Sequence, residues 1–456
     1  MTIARFRAVG LAAALGIVAL LPGHAARAAG GDWLNALSGP LAEAGYSLTW
    51  KSMSLDPAKG RVIARGLSSA DAGGRVVARI DSLALDRPRA GPDGGWSADR
   101  LVIEKLEIPG RSRLGIQRTV VTRPDLRAVA RLLATFAGSP APGSTAPGGD
   151  AGPLVVERLE MQGLSQDWTA AGGERVATSL ETLRVTGLRV DPAAFAAGGD
   201  PDRLRPLAVL AAVQVGLVEA EGLRSRSSHA GTTTVARQWV KNTARVAGRS
   251  GVLQYGNEGV RMQPPAGETA TGPLLATLFP PDGEARSHWS GELSYDTAGG
   301  LLNYQQRTTV DGFGQLNAQA DMRGVPNLTV GEWERLRQDD PRLANTVFDA
   351  FSLTLTDAGG VDRAIAAMSE DNTVPPAELR AGFATEFGAM GQGFIPQNDA
   401  LLAAWLRAIQ DFVRSGGTLA LTATRPIPVA GIADRDLRTE SLPGLVSRYG
   451  LSLQHR

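Results

Sequence analysis

From Leu48 onward, Val, Ile and Leu alternate with Arg, Glu, Ser and Thr, and glycine-rich turns recur. That period-two pattern predicts half-buried antiparallel strands joined by hairpins. A short motif repeats within it, reading apolar, acid, any residue, Leu, any residue, apolar. Its copies are Ile80–Leu85, Ile103–Ile108, Val156–Met161 and Leu180–Val185. Gly110, Gly163 and Gly187 follow three of the four copies. Longer anchors point to duplication. Gly66-Leu67-Ser68 leads through Gly73-Gly74-Arg75-Val76 to the first copy, and Gly163-Leu164-Ser165 leads through Gly172-Gly173 and Arg175-Val176 to the fourth. Both stretches read as strand, glycine turn, strand.

By strict alternation Val102, Leu106 and Ile108 share one side of a strand, and Leu101 and Ile103 share the other. A strand apolar on both sides needs two covers. One can be a helix, the other a second sheet or a ligand. The residues expected on such an apolar sheet surface are Val102, Leu106, Ile108, Val155, Leu159, Met161, Leu183 and Val185. Glu104 is awkward for this reading, because alternation sets it beside Val102 and Leu106. Either that side is partly covered, or a bulge turns the acid outward.

The helical period enters in places. Residues 32–46 form a short amphipathic pattern, and Pro124 opens another that ends near Gly138. A third stretch covers about 201–213. Beyond residue 326 helices dominate. Thr329 and Glu332 have capping-box spacing before Trp333 and Leu336. Gly359-Gly360 and Pro375-Pro376 precede further helical runs, and Asn398-Asp399 caps LLAAWLRAIQDFVR, which stops at Gly416-Gly417. GTLALTAT reads as a strand. The fold class expected is therefore α+β, with mainly antiparallel β-meander sheets and a helical C-terminal subdomain. The expected division is 1–28, 29–137, a Pro/Gly/Ser linker at 138–152, 153–325 and 326–456.

Residues 1–28 carry Arg5 and Arg7, then the apolar run AVGLAAALGIVALL, then Ala26-Arg27-Ala28. This pattern is that of a cleavable secretory signal, and fourteen apolar residues fall short of a membrane-spanning helix. It places the protein in the periplasm, with an uncleaved inner-membrane anchor as the alternative. Among 456 residues there is no Cys, which excludes disulfides, thiol catalysis and lipid attachment through an N-terminal Cys. The precursor charge is +1, and removing the three arginines of residues 1–28 leaves −2. A near-neutral chain gives no reason to expect nucleic acid as a partner.

Candidate chemistry is sparse. His229, His288 and His455 are isolated, so no zinc-ligand spacing exists. Gly388, Gly391 and Gly393 follow no strand, which argues against a phosphate loop. The acidic pairs Asp339-Asp340, Asp200/Asp202 and Asp434/Asp436 sit beside Pro or Arg, as turn and cap residues do. No cofactor, metal or catalytic residue is expected.

Two stretches carry a family resemblance. Phe351–Ala364 gives a strand, an Asp-Ala-Gly turn and a helix, and Gly417–Leu421 followed by Arg425-Pro426-Ile427-Pro428 completes the layout. This resembles uncharacterised Gram-negative envelope proteins of the DUF2125- and DUF945-like groups. The repeated meanders are similar in style to AsmA-like envelope proteins. An AsmA-like architecture implies a curved sheet whose apolar groove carries acyl chains, although this chain is short and its signal looks cleavable. Three functions stay open: a periplasmic protein binding a lipid, another apolar ligand or an envelope partner on a sheet surface; a structural scaffold; and a hydrolase with non-local acids.

Overall fold

The computed structural model describes residues 47–456 except 72, 91–95, 111, 125–153, 170–172, 191–205, 230, 247–248, 265–283, 330, 333–334, 336–339, 395–399 and 430–441. The expected signal at 1–28, the helices at 32–46 and after Pro124, the 138–152 linker, and the Asn398-Asp399 cap lie outside the described residues. Described residues fall into two compact units. One draws on Met1–His229, Arg237–Gly248 and Leu328–Glu332, the other on Ala230–Ala236, Arg249–Asn327 and Trp333–Arg456. The boundary between them falls mainly near residue 230.

In the first unit the strands are β1 (Ser47–Thr49), β2 (Ser52–Asp56), β3 (Arg61–Ala70), β4 (Val76–Asp86), β5 (Arg89–Ala90), β6 (Trp96–Ser97), β7 (Arg100–Ile108), β8 (Ser112–Thr122), β9 (Leu154–Thr169), β10 (Arg175–Val190) and β11 (Val213–Ser227). A helix, α1 (Pro206–Ala212), precedes β11. Apart from the β5–β6 ribbon, each strand pairs antiparallel with the next, from β3 through β4, β7, β8, β9 and β10 to β11. β1 and β2 both pair with β3. This is the antiparallel meander that the alternation predicts.

The alternation is broken, however, in register across the sheet, and β10 carries a second break at Gly187, whose φ is +61°. Arg65 pairs with Ser82 and Leu67 with Ile80, which leaves Gly66 and Asp81 facing each other without ladder bonds. The same gap continues across the sheet at Asp81/Lys105, Lys105/Gln117, Gln117/Gly163 and Gly163/Glu181. Gly66, Lys105, Gly163 and Gly222 have φ of +63°, +47°, +62° and +68°. The three glycines each lie under a neighbouring side chain. An added Cβ on Gly66 would meet the Lys51 stem at 2.7 Å, and one on Gly163 would meet Gln117 Cγ at 2.5 Å. Glu181 covers Gly222 in the same way, and Lys105 Nζ reaches Asp81 at 3.0 Å.

A left-handed residue inside a strand shifts the phase of the side chains by one. Buried residues therefore recur at spacings of two and three. Thr178, Leu180, Leu183, Val185, Leu188 and Val190 are the buried positions of β10 over that stretch, and Leu101, Ile103 and Leu106 those of β7 on the core side. Two residues of every five point inward and three outward. The inward ones form one hydrophobic cluster reaching from Leu48 to Val215. The outward face carries ion pairs, among them Arg118–Glu104 at 3.4 Å and Arg237–Glu219 at 2.7 Å. Glu219 is held below its ordinary pKa, chiefly by the hydrogen bond from Arg237.

The duplicated anchors occupy equivalent places. Gly66 faces Asp81 of the first repeat copy, and Gly163 faces Glu181 of the fourth. Gly74 and Gly173, at φ of +78° and +83°, turn the two hairpins.

β12 (Gly231–Val246) contributes residues to both units. The second unit then runs β13 (Ser250–Gln263), β14 (Ala285–Asp296), β15 (Leu301–Val310), β16 (Gly314–Arg323) and β17 (Val347–Asp357). After β17 come α2 (Gly360–Asn372), α3 (Pro376–Phe394), α4 (Ala400–Ser415), β18 (Thr418–Ala423), β19 (Ile427–Pro428), α5 (Leu442–Tyr449) and β20 (Leu451–His455). Strands β13 to β17 pair in sequence, β17 then takes β18, and β18 takes β20. The helical C-terminal stretch is thus built onto the same sheet as β13–β16. GTLALTAT supplies β18, but β20 pairs on its far side.

Local signals explain the helix starts. Asp357 Oδ1 accepts the Val361 amide at 3.0 Å, and α3 begins at Pro376, where a missing N–H costs nothing. Thr329 and Glu332 make both bonds of the capping box, at 2.7 and 3.2 Å. Gly416 and Gly417, at φ of +68° and +91°, end α4 as the sequence indicates.

The crease gives two opposite expectations. Gly163→Ala forces a Cβ into a left-handed site and against Gln117, and is expected to lower unfolding free energy by at least about 1–2 kcal/mol. Lys105→Gly relieves the same backbone at the expense of an exposed ion pair, and is expected to be neutral or stabilising by up to about 1 kcal/mol. Urea unfolding of the two variants tests both; equal destabilisation would contradict the assigned role of the left-handed residues.

Candidate apolar ligand surface

The structure distributes the eight expected surface residues differently from the alternation reading. Leu106, Leu159, Met161, Leu183 and Val185 belong to the sealed cluster of the first unit, and Ile108 packs against it. Val102 is buried at 7% exposure but lies on the opposite face, beside Ala84 and Val120. Val155 is exposed. The physical reason is the left-handed Lys105, which carries Leu106 and Ile108 over to the side of Leu101 and Ile103. Glu104 stays outward with Val102 and pairs with Arg118. These eight residues therefore do not form an open apolar surface.

An apolar face that is only half-buried occurs instead in the second unit. Its strands keep simple period-two alternation through most of their length, so register assigns the faces directly. One row across the sheet reads Leu253, Leu293, Tyr304, Ala320, Phe351, Ala423. The next row on the same side is Tyr255, Gly291, Gln306, Ala318, Leu353, Leu421, and a third is Asn257, Trp289, Thr308, Leu316, Leu355, Leu419. The opposite face carries Gln254, Glu292, Gln305, Gln319 and Ser352 in one row. One side is thus apolar and aromatic, the other amide-rich.

Leu253, Leu293, Tyr304, Phe351, Leu353 and Leu355 are all half-buried, and Leu316 is 39% exposed. Their counterparts in the first unit are almost completely shielded. At one end the face is closed by Ile427 and Tyr449, against which Phe348, Ala423 and Leu451 pack. Across β13 to β16 the described residues form no such cluster.

Aromatic rings organise this face. Tyr255 and Trp289 meet edge to face with centroids 5.4 Å apart. The Tyr255 ring lies over Gly291, where an added Cβ would meet its Cζ at 2.6 Å. A polar lane runs along β15 through the apolar rows. The Tyr304 hydroxyl donates to Gln306 Oε1, and Gln306 Nε2 donates to Thr308 Oγ1 at 3.1 Å. Large apolar side chains beside a few aligned polar groups are the composition of small-molecule sites. The alternation in LLNYQQRTTV and GELSYD is the signal in the sequence that sets Tyr304 and Tyr295 on one side of their strands.

Gly388, Gly391 and Gly393 lie inside α3, whose backbone amides are committed to the helix. His455 Nε2 is 2.7 Å from the Gly416 carbonyl and its ring meets Phe412 edge to face, an architectural setting at the end of β20. Among the described residues no three His, Asp or Glu side chains converge for a metal. Of the acidic pairs, Asp200/Asp202 and Asp434/Asp436 lie outside the described residues, as does Asp339. Asp340 caps the 3-10 turn Pro341–Leu343, accepting the Arg342 amide at 2.9 Å and gripping its guanidinium with both oxygens. Arg342 holds the Asp340 carboxyl down to about 2, the wrong direction for a general acid.

A family model described only as an uncharacterized protein matches residues 307–454, which covers β15 through β20 for the most part. No curated protein matches the chain. Among the described residues no helix is long and apolar enough to cross a membrane.

The Asp340 cap predicts part of the acid limb of stability. Its folded pKa, about 2, lies below the ordinary 3.8. The cap therefore stabilises the fold fully above about pH 4 and is lost as pH falls toward about 2. Thermal midpoints measured across that window should fall less steeply in Asp340→Asn than in the parent; identical slopes would remove Asp340 from the acid response.

Proposed function

We propose that the protein is a non-enzymatic envelope protein of the periplasm that binds a single-chain amphiphile on the apolar face of the second unit. The observation that carries this reading is the row from Leu253 through Leu293, Tyr304 and Ala320 to Phe351, left half-buried on a sheet whose other side is polar. Five strands at about 4.8 Å spacing give that row a length of about 19 Å. One leaflet of a bilayer holds acyl chains about 15 Å long, so a chain of that size fits along it. The Tyr304–Gln306–Thr308 lane gives a polar group a place to hydrogen-bond without leaving the face.

The export pattern of residues 1–28 and the resemblance to DUF2125-, DUF945- and AsmA-like envelope proteins support the same setting. The resemblance now rests on the second unit more than on the repeats, whose apolar residues are spent on a core. For the first unit a scaffold reading is favoured by that core: its inward residues are shielded from solvent from Leu48 to Val215.

The test is ligand retention. Native mass spectrometry of protein taken from the periplasm should show a mature mass with an added lipid-sized species. A fluorescent fatty-acid probe should bind the purified chain, and Leu293→Ser combined with Leu353→Ser should weaken it at least tenfold. No retained species and no probe binding would overturn the proposal, as would a double variant that binds like the parent while remaining folded.

A further inference from the structure

A cleft of about 550 Å³ opens on the first unit at one end of β8 to β11. Arg113, Arg175 and Arg226 line it, together with Asp167 and Thr169. Register explains how they meet. Arg113 pairs with Asp167, Asp167 with Ala177, and Ala177 with Arg226, so the four occupy one row across adjacent strands. Arg175 lies two residues from Ala177 and so faces the same way. Ala177 and the neighbouring row of Gly115, Ser165 and Ser179 keep the floor between the arginines low.

The charges here are arranged unlike those elsewhere on this outward face. Arg118, Arg158 and Arg184 each reach a carboxylate within 3.4 Å. In the cleft, Arg113 comes no closer than 3.8 Å to Glu107, both side chains largely in water. The guanidiniums of Arg175 and Arg226 have no carboxylate partner among the described residues. Among the described residues that line the cleft three guanidiniums stand against the one carboxylate of Asp167, with Glu107 beside Arg113 and Glu174 bonded to Ser227 at its edge, so the guanidiniums left without a carboxylate are those of Arg175 and Arg226. Uncompensated like charges repel, and a bound anion relieves the repulsion.

We infer that this cleft binds a phosphate monoester. Planar guanidinium forks match phosphate oxygens in pairs, and a monoester carries nearly two negative charges at neutral pH, one for each of the guanidiniums of Arg175 and Arg226. The volume is in the range that holds a small organic molecule, so there is room for the esterified group beside the phosphate. The site belongs to the first unit alone and stands whether or not the second unit binds an amphiphile.

Calorimetric titration with glycerol 3-phosphate, and flotation with phosphatidylcholine vesicles carrying phosphatidic acid, distinguish a soluble ester from a lipid headgroup. The parent chain should bind at one site in at least one arm. Arg175→Gln with Arg226→Gln should weaken that binding at least tenfold with an unchanged thermal midpoint. Lysine at both positions should restore it only in part, since the charge returns without the fork. Binding in the titration arm assigns a soluble phosphate ester, and binding in the vesicle arm alone assigns a lipid phosphate. No binding in either arm, or a folded glutamine variant that binds like the parent, overturns the inference.

Discussion

A line of left-handed residues on alternate strands, its glycines roofed by neighbouring side chains, sets the character of the first unit. Gly66, Lys105, Gly163 and Gly222 stand in one line; Lys51, Gln117 and Glu181 lean over the glycines, and Lys105 reaches Asp81. An ordinary strand spends its residues evenly on two faces. Here the line diverts one more residue outward in each five, so the apolar ones collect on one side. The cluster from Leu48 to Val215 and the charged outer face both follow from that single displacement. Backbone strain is kept low because glycine fills three of the four positions.

The two units solve the problem of an apolar sheet face differently. In the first, the phase shift gathers Leu, Ile and Val into an interior. In the second, regular alternation lays Leu, Tyr, Trp and Phe along one side, and the helices of the C-terminal stretch pack chiefly with one another and toward β18 and β20. Tyr449 and Ile427 close the end of that face near β18. Over β13 to β16 Tyr255, Trp289, Tyr304 and the leucines stay partly in reach of solvent, while Tyr295 at the end of the same side is buried. The face also keeps its polar lane, with Gln306 satisfied by its own neighbours on β15.

Much of the fold was legible in the residues. The Gly66 and Gly163 anchors, the capping box at Thr329 and Glu332, the turn after Asp357 and the stop at Gly416 all act through local chemistry, and each forms where the sequence places it. The assignment of faces failed at one residue type. Glycine within a strand advertises a break, but Lys105 adopts φ of +47° with nothing in its chemistry to announce it. Counting alternation through Lys105 sent Leu106 and Ile108 to the wrong side. Exposure of the second unit's face was hidden for another reason: alternation tells which residues share a side, whereas cover depends on segments far away along the chain. The arginine cleft was equally silent, because Arg113, Arg175 and Arg226 are brought together only by the pairing of four strands.

Since the left-handed position alternates from strand to strand, the smallest piece that preserves it is a hairpin. A lone strand inserted within the wall would set two glycine-type positions, or two covering side chains, against each other. Insertion or loss within the wall is thus confined to even increments, and a two-strand block can be copied into it without redesigning what it already encloses.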